Sequence, residues 1–428
     1  MTDDNTAHGT DDGNAVDTVT DPPPEDLGSF LDPAVQDDPF DTYATMHDRC
    51  PVHRLPDMDL VMVAGYDDTK TVLTDPATFS STPVRRAVSP SASARAAAAV
   101  FKQQGWVRSP TLQRTDPPVH ARYRRLIAPM LTKRRVEALL PRIDELCHQL
   151  IDAFIEEGGC EFIADFALPL PGIVICEQLG LDAAQYPRFK RWADAMLAGG
   201  QRPLTVDEAV EQAEIELDAQ HHVAGELERR RTEPMEDWIS DLVADEDLSM
   251  EELQDLMHQL ITGGFETTTT ALTTGLWLLI RHPDQLAKLQ ADRSLLDNFI
   301  DESLRVDSPV AGLWRTTTCP VSMGGVDMEA EQSVMVRYAA ANRDPGRFTE
   351  PEVFDIERDN ARDHVAFGWG THFCVGAHLA RAELRTGFTA LLDRLDDIEL
   401  ARPLDPLPHE FSFFLRPMKE LPIRFTAR

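Results

Sequence analysis

The sequence predicts a mainly α-helical protein with a small β portion, folded as one large unit. Three observations carry that expectation. Apolar residues recur at helical spacing through most of residues 118–305, whereas Val-, Gly- and Pro-containing segments that suggest strands and turns cluster beyond Pro309. One segment, opening at Ser249 and stopping at His282-Pro283, is apolar nearly all round. At about thirty residues it should form a buried rod roughly 45 Å long. No long Gly/Ser- or Pro-rich linker divides the interior of the 428 residues.

Along the chain, the first 48 positions hold thirteen Asp or Glu and no Lys or Arg, with Pro22, Pro23 and Pro24 in a row. Residues 1–34 are therefore read as an acidic, disordered segment, and 35–428 as a single domain. Leu60 to Ala64 reads as a short strand and Tyr66 to Leu73 as a helix. Residues 80–113, rich in Ser, Ala, Pro and Arg, read as a long, mobile, partly helical loop. The long rod begins with a capping box, Ser249 and Glu252, and acids occupy its first turn where the helix dipole favours them. A further helix opens at Ser294 and ends before Pro309. Leu384, Phe388, Leu391 and Leu395 then set a helical period directly after Cys374, which places that cysteine at a helix start favouring a thiolate.

Composition bounds the function. A net charge of −32 makes nucleic acid an unsuitable partner. Six cysteines at 50, 147, 160, 176, 319 and 374 show no framework spacing, and no signal peptide precedes them, which suits a reducing cytoplasm. No window approaches twenty uninterrupted apolar residues, so no membrane span is expected.

The stretch Phe367-Gly368-Trp369-Gly370-Thr371-His372-Phe373-Cys374-Val375-Gly376 cushions one cysteine with glycines, which let backbone approach a flat cofactor and free N–H groups toward sulfur. It resembles the cysteine signature of the cytochrome P450 family, with Phe367, Gly370, His372, Cys374 and Gly376 at the fixed positions. The resemblance implies haem b (iron protoporphyrin IX), with Cys374 as axial thiolate to the iron and Phe367, Gly368 and Gly376 around it. It also implies that the haem lies between the long central helix and the helix of the cysteine loop. A zinc site of His364, His372, Cys374 and His378 is the competing reading, weakened by the absence of any Cys-x-x-Cys pair.

In the middle of the buried rod stand Gly263, Gly264, Phe265, Glu266, Thr267 and Thr268. Two glycines cost about 2 kcal/mol of helix propensity relative to alanine, and a buried Glu needs a partner. The cluster resembles the family's oxygen-binding helix. That implies Thr267 hydrogen-bonding dioxygen, Glu266 delivering protons, and Gly263 admitting the cofactor face; Thr268 is the alternative register. The family likeness further implies that His120, Arg124, Arg315 and His372 hold the haem propionates. It also implies that Glu302, Arg305 and Arg358 form a buried structural triad.

Residues 120–135 hold seven basic side chains, counting His120, and no acid. They are read as a docking patch for an acidic [2Fe-2S]-type ferredoxin fed by an NAD(P)H-dependent reductase, weakening with salt. The expected reaction inserts one atom of O2 into a small apolar substrate (a terpenoid, steroid, fatty acid or aromatic compound), with the chain working as a monomer. Substrate contacts are assigned to residues 80–113 and 180–215, to Ala311, Leu313 and Trp314, and to Phe411 to Phe414 including Phe413; Arg85 and Arg86 are candidates to catch a carboxylate. Two alternative functions are a peroxide-driven enzyme and a non-catalytic haem sensor, both disfavoured by the Glu266–Thr267 pair.

Overall fold

The computed structural model describes residues 30, 32–55, 59–82, 91–404 and 407–428. Most of the acidic segment lies outside the described residues, as do Arg85 and Arg86. Phe30, within the segment read as a tail, belongs to the body: it is 2% exposed and its ring stacks on Tyr43 at 6.4 Å.

Fifteen α-helices occur among the described residues. α1 (Pro33–Asp37), α2 (Phe40–Arg49) and α3 (Tyr66–Thr74) interleave with the first strands, and α4 (Ala92–Gln104) stands within the Ser/Ala-rich stretch. Then come α5 (Val119–Ile127), α6 (Lys133–Asp152), α7 (Pro169–Gln178), α8 (Tyr186–Gln201), α9 (Val206–Thr232) and α10 (Trp238–Val243). The long rod is α11 (Met250–Arg281), followed by α12 (Pro283–Ala291), α13 (Leu296–Val306), α14 (Tyr338–Ala341) and α15 (Ala377–Arg394).

The strands are β1 (Val52–Leu55), β2 (Leu60–Val63), β3 (Phe79–Ser80), β4 (Gly159–Glu161), β5 (Leu313–Thr317), β6 (Val321–Met323), β7 (Val326–Met328), β8 (Ser333–Val336), β9 (Leu395–Leu400) and β10 (Pro422–Ala427). The main sheet has the order β1-β2-β8-β5-β3, with β2 and β8 parallel and its other pairs antiparallel. Val61, Val63, Val334 and Val336 give that sheet its own apolar core. A larger core runs through the helices from α5 to α13 and α15.

Local chemistry explains the rod. Ser249 and Glu252 exchange both capping-box bonds, and His282 ends the helix where Pro283 begins the next. Its 32 residues span about 48 Å and pack against α7, α8, α9, α13 and α15. Between its ends the only exposed residue is Gly263.

Two boundaries differ from the sequence reading. The stretch near Ser294 is a 3-10 turn, Arg293–Leu295, and α13 starts at Leu296. Within 80–113, Ser91 caps a full helix whose residues are exposed or half-buried and which lies on α9. This agrees with the partly helical reading of 80–113; alanine-rich composition, which offers no apolar stripe, left the helix's bounds unread.

Candidate active site

The glycines shape the cysteine loop. Gly368 (φ 69°) and Gly370 (φ 67°) take left-handed conformations, and a Cβ on Gly370 would stand 2.8 Å from the Leu73 carbonyl oxygen. The Cys374 N–H donates to Phe367 O at 2.9 Å, closing the loop on its first residue. Burial pushes the Cys374 thiol up, against the Gly376 N–H, the Arg124 charge and the Ala377 N–H. The helix start therefore does not by itself make a thiolate here, because desolvation outweighs it; a metal cation at sulfur would reverse the balance. Cys374 itself is half-buried. Gly263 opens onto space: a Cβ there would meet no atom within 4 Å.

Beside the loop, the His120 and His372 rings lie 4.4 Å apart. The His120 Nε2 is buried without a partner among the described residues, while His372 Nε2 is 3.1 Å from Ser81 Oγ. Burial, then the Arg315 charge and His120, push His372 down to about 3. Burial and Arg124 likewise lower His120. Arg124 Nη1 donates to Phe373 O at 2.7 Å, and Arg315 Nη1 to Trp314 O at 2.7 Å. Two permanent cations, two neutral imidazoles and one orphaned ring nitrogen make a donor-rich wall suited to carboxylates, of which haem b carries two. The residues present fit that cofactor.

The four candidate zinc ligands do not converge. His364 Nε2 faces Asp301 Oδ1 at 3.3 Å, and His372 is engaged as above. Among the described residues no group of three or more His, Cys, Asp or Glu is placed to hold a metal ion.

On α11, Thr267 Oγ1 donates back to Gly263 O at 2.7 Å, and Thr268 is buried with its side chain at the Glu383 carboxyl. Burial pushes Glu383 up to about 8. Glu266 is 6% exposed; burial raises it, opposed by Lys190, whose Nζ stands 3.2 Å from Oε1. Lys190 comes from α8 and also bonds Asp194.

Behind the loop, Glu302 is fully buried. Arg305 donates to it at 2.7 and 2.8 Å, and Arg358 Nε at 3.0 Å. Ala311 is buried and its N–H donates to Phe414 O at 2.8 Å; Leu313 and Phe413 are half-buried. The basic stretch is partly neutralised in space: Arg122 pairs with Glu252, Lys133 with Glu137 and Arg135 with Asp241. Arg125 and Arg134 are exposed and have no ion-pair partner among the described residues. Sequence reasoning missed Lys190, Asp301 and Glu383; a charged residue in an apolar helical stripe was the available signal for the last two.

Fold and site together define a cofactor-binding oxidoreductase: a long buried helix with an opened middle, a cysteine loop, and a cationic wall. The chain belongs to the cytochrome P450 family, whose model (Cytochrome P450) matches residues 204–421. It is 37% identical to cytochrome P450 monooxygenase PikC of Streptomyces venezuelae, over 95% of this chain and 96% of that one. With 6-deoxyerythronolide B hydroxylase of Saccharopolyspora erythraea it shares 34%, over 91% and 96%. With the steroid C26-monooxygenase of Mycobacterium tuberculosis it shares 35%, over 76% and 90%. The structure of cytochrome P450 CYP109Q5 from Chondromyces apiculatus superposes with a TM-score of 0.80 at 33% identity, covering 93% of this chain and 98% of that one. The protein is a monooxygenase with haem b as its cofactor. No helix among the described residues is long and apolar enough to cross a membrane.

Proposed function

We propose that Cys374 is the axial thiolate of the haem iron and that the open space beside Gly263 receives a small apolar compound for hydroxylation. The observation that carries this reading is the half-buried cysteine in a glycine-shaped loop whose neighbour Phe373 O accepts from Arg124, next to the donor-rich wall of His120, Arg124, Arg315 and His372. Haem b, when bound, supplies the activation of O2 and the insertion of one oxygen atom into a C–H bond.

The chain's own residues hold, orient and move protons around that chemistry. Phe367 O fixes the Cys374 N–H, and the Gly376 and Ala377 N–H groups face the sulfur, setting its electron density. His120, Arg124, Arg315 and His372 clamp the two carboxylates and so fix the cofactor's rotation. Glu266 holds the proton supply inside the helix on the carboxyl oxygen away from Lys190, whose Nζ faces Oε1 and opposes the rise that burial causes. Thr267 Oγ1, free to leave Gly263 O, passes that proton toward the reacting oxygen. Ala311, Leu313 and Phe413 wall the substrate side, and apolar filling excludes water. Glu302, Arg305 and Arg358 brace the fold behind the loop.

A steroid, terpenoid, fatty-acid or aromatic skeleton suits that lining; named relatives include a steroid monooxygenase and a P450 crystallised with myristic acid. Electrons come from an acidic [2Fe-2S] ferredoxin and its NAD(P)H-dependent reductase, drawn to Arg125 and Arg134, with one copy of the chain acting in the cytoplasm. The test is the absorption spectrum of the reduced protein under carbon monoxide. A thiolate-type long-wavelength band is expected and should vanish in Cys374→Ser; a globin-like band in the unaltered protein overturns the ligand assignment.

A further inference from the structure

Glu302 is not the only buried acid at the back of the cysteine loop. Asp301, its neighbour on α13, is 1% exposed and faces three basic side chains from elsewhere in the chain. Arg381 of α15 bonds its Oδ1, His364 Nε2 stands 3.3 Å from the same oxygen, and Arg362 Nε reaches Oδ2 at 3.2 Å. Arg362 is 71% exposed and adds little; His364 is the enclosed partner, and Arg381 reaches in from a side chain 36% exposed.

Both partners lead to the loop. His364 Nδ1 accepts the Ala366 N–H at 3.1 Å, so its proton sits on Nε2 and points at Asp301. The carboxylate thus fixes the imidazole tautomer, and the imidazole fixes the backbone one residue before Phe367. Arg381 lies seven residues past Cys374, and its guanidinium stacks over the Phe367 ring at 4.9 Å. The other ring neighbours of Phe367 are His364 at 5.8 Å and Phe373 at 6.3 Å. Phe367 O in turn holds the Cys374 N–H at 2.9 Å. Asp301 therefore ties the entry of the loop and the helix that leaves it to one anionic point.

We propose that Asp301 is a positioning residue for the Cys374 sulfur, acting through His364 and Arg381 to set both the loop's geometry and the charge behind the haem iron. It rests on the reading of Cys374 as the iron ligand. Ionised Asp301 neutralises the Arg381 cation, which otherwise would stabilise added electron density at the site. Its role differs from that of Glu302, whose partners Arg305 and Arg358 bind backbone carbonyls of residues 342–353 and do not reach the loop.

The test is the reduction potential of the haem-loaded protein, read with the carbon monoxide spectrum and the thermal midpoint. Asp301→Asn keeps the shape and removes the charge, so the potential should move to more positive values by about tenfold in the reduction equilibrium, about 59 mV for one electron. Part of the thiolate-type band should convert to the protonated-thiol form. Arg381→Met should move the potential the opposite way, the Asp301→Asn/Arg381→Met double variant should return toward the unaltered protein, and Asp301→Glu should restore much of the band. A lower midpoint in Asp301→Asn with potential and band unchanged reduces the residue to a structural brace and overturns the proposal. Should Asp301→Asn fail to retain haem, Arg381→Met decides: an unshifted potential there also overturns it. A globin-like band in the unaltered protein sinks the underlying ligand assignment, whereas a thiolate band insensitive to both variants sinks this inference alone.

Discussion

Glu266 and Glu383 are two buried carboxyls near the same stretch of α11, and their surroundings give them different tasks. Glu266 has a cation at 3.2 Å that opposes its burial; among the described residues Glu383 has Thr268 alone, and its Oε1 has no partner. Replacing Glu266 with Gln preserves the packing and removes the titratable proton. Turnover should fall about a hundredfold while peroxide release per electron consumed rises, measured by product and peroxide assays side by side. Product formation at the unaltered rate would remove Glu266 from the proton path. Glu383 makes a statement about stability instead. Its carboxyl is raised from 4.5 to about 8 in the fold, so the folded protein retains a proton that the unfolded chain releases. The resulting stability is complete below about pH 4.5 and is lost as pH rises through about 8, a total on the order of 5 kcal/mol. Denaturant melts across that range should slope for the unaltered protein and flatten in Glu383→Gln. Parallel curves would show that Glu383 is ionised throughout.

Among the elements, α11 was legible because its signals are local: a capping box, acids in the first turn, a proline stop, and a polar interruption that an apolar rod has no reason to contain. The cysteine loop was legible for the same reason, since its glycines and cysteine lie within ten consecutive residues. The partners of those elements were not. Lys190 meets Glu266 from α8, and Asp301 meets His364 and Arg381 across three separate segments, contacts that only tertiary packing creates. The helix start does favour the Cys374 thiolate through the Gly376 and Ala377 N–H groups, but burial opposes it, and a dipole can be read from sequence where desolvation cannot. The two glycines of α11 separate packing from cofactor space. A Cβ on Gly264 would stand 2.5 Å from Ile175 Cδ1 and 3.0 Å from Cγ1, so Gly264→Ala should cost about 1 kcal/mol net, overpacking outweighing the gain in propensity. Gly263→Leu meets no atom at its Cβ and should leave the cofactor-free protein at least as stable, yet sharply lower haem uptake. Melting curves of the cofactor-free variants and a haem titration distinguish the two. Normal haem uptake by Gly263→Leu would place the cofactor face elsewhere on α11.

At the scale of the whole molecule, charge sets two opposing fields for an acidic electron donor. The chain carries −32, eight of its acids lying in residues 1–29 without a single Lys or Arg to offset them. A distant acidic partner is therefore repelled by the molecule as a whole. Close in, it meets Arg125 and Arg134, exposed and unpaired among the described residues, while Arg122, Lys133 and Arg135 are already engaged by acids. Salt acts first on the longer-range interaction, because the Debye length falls from about 30 Å at 0.01 M to about 10 Å at 0.1 M. Electron delivery by an acidic ferredoxin should then rise with ionic strength at low salt as the repulsion is screened, and fall beyond as the local attraction weakens. Arg125→Glu/Arg134→Glu should abolish the maximum, leaving only the rising limb and a lower plateau. Stopped-flow reduction rates over a salt series would measure both curves. A rate that falls monotonically in the unaltered protein would mean that the local patch dominates at every distance, and identical curves for the variant would move the docking surface away from α5 and α6.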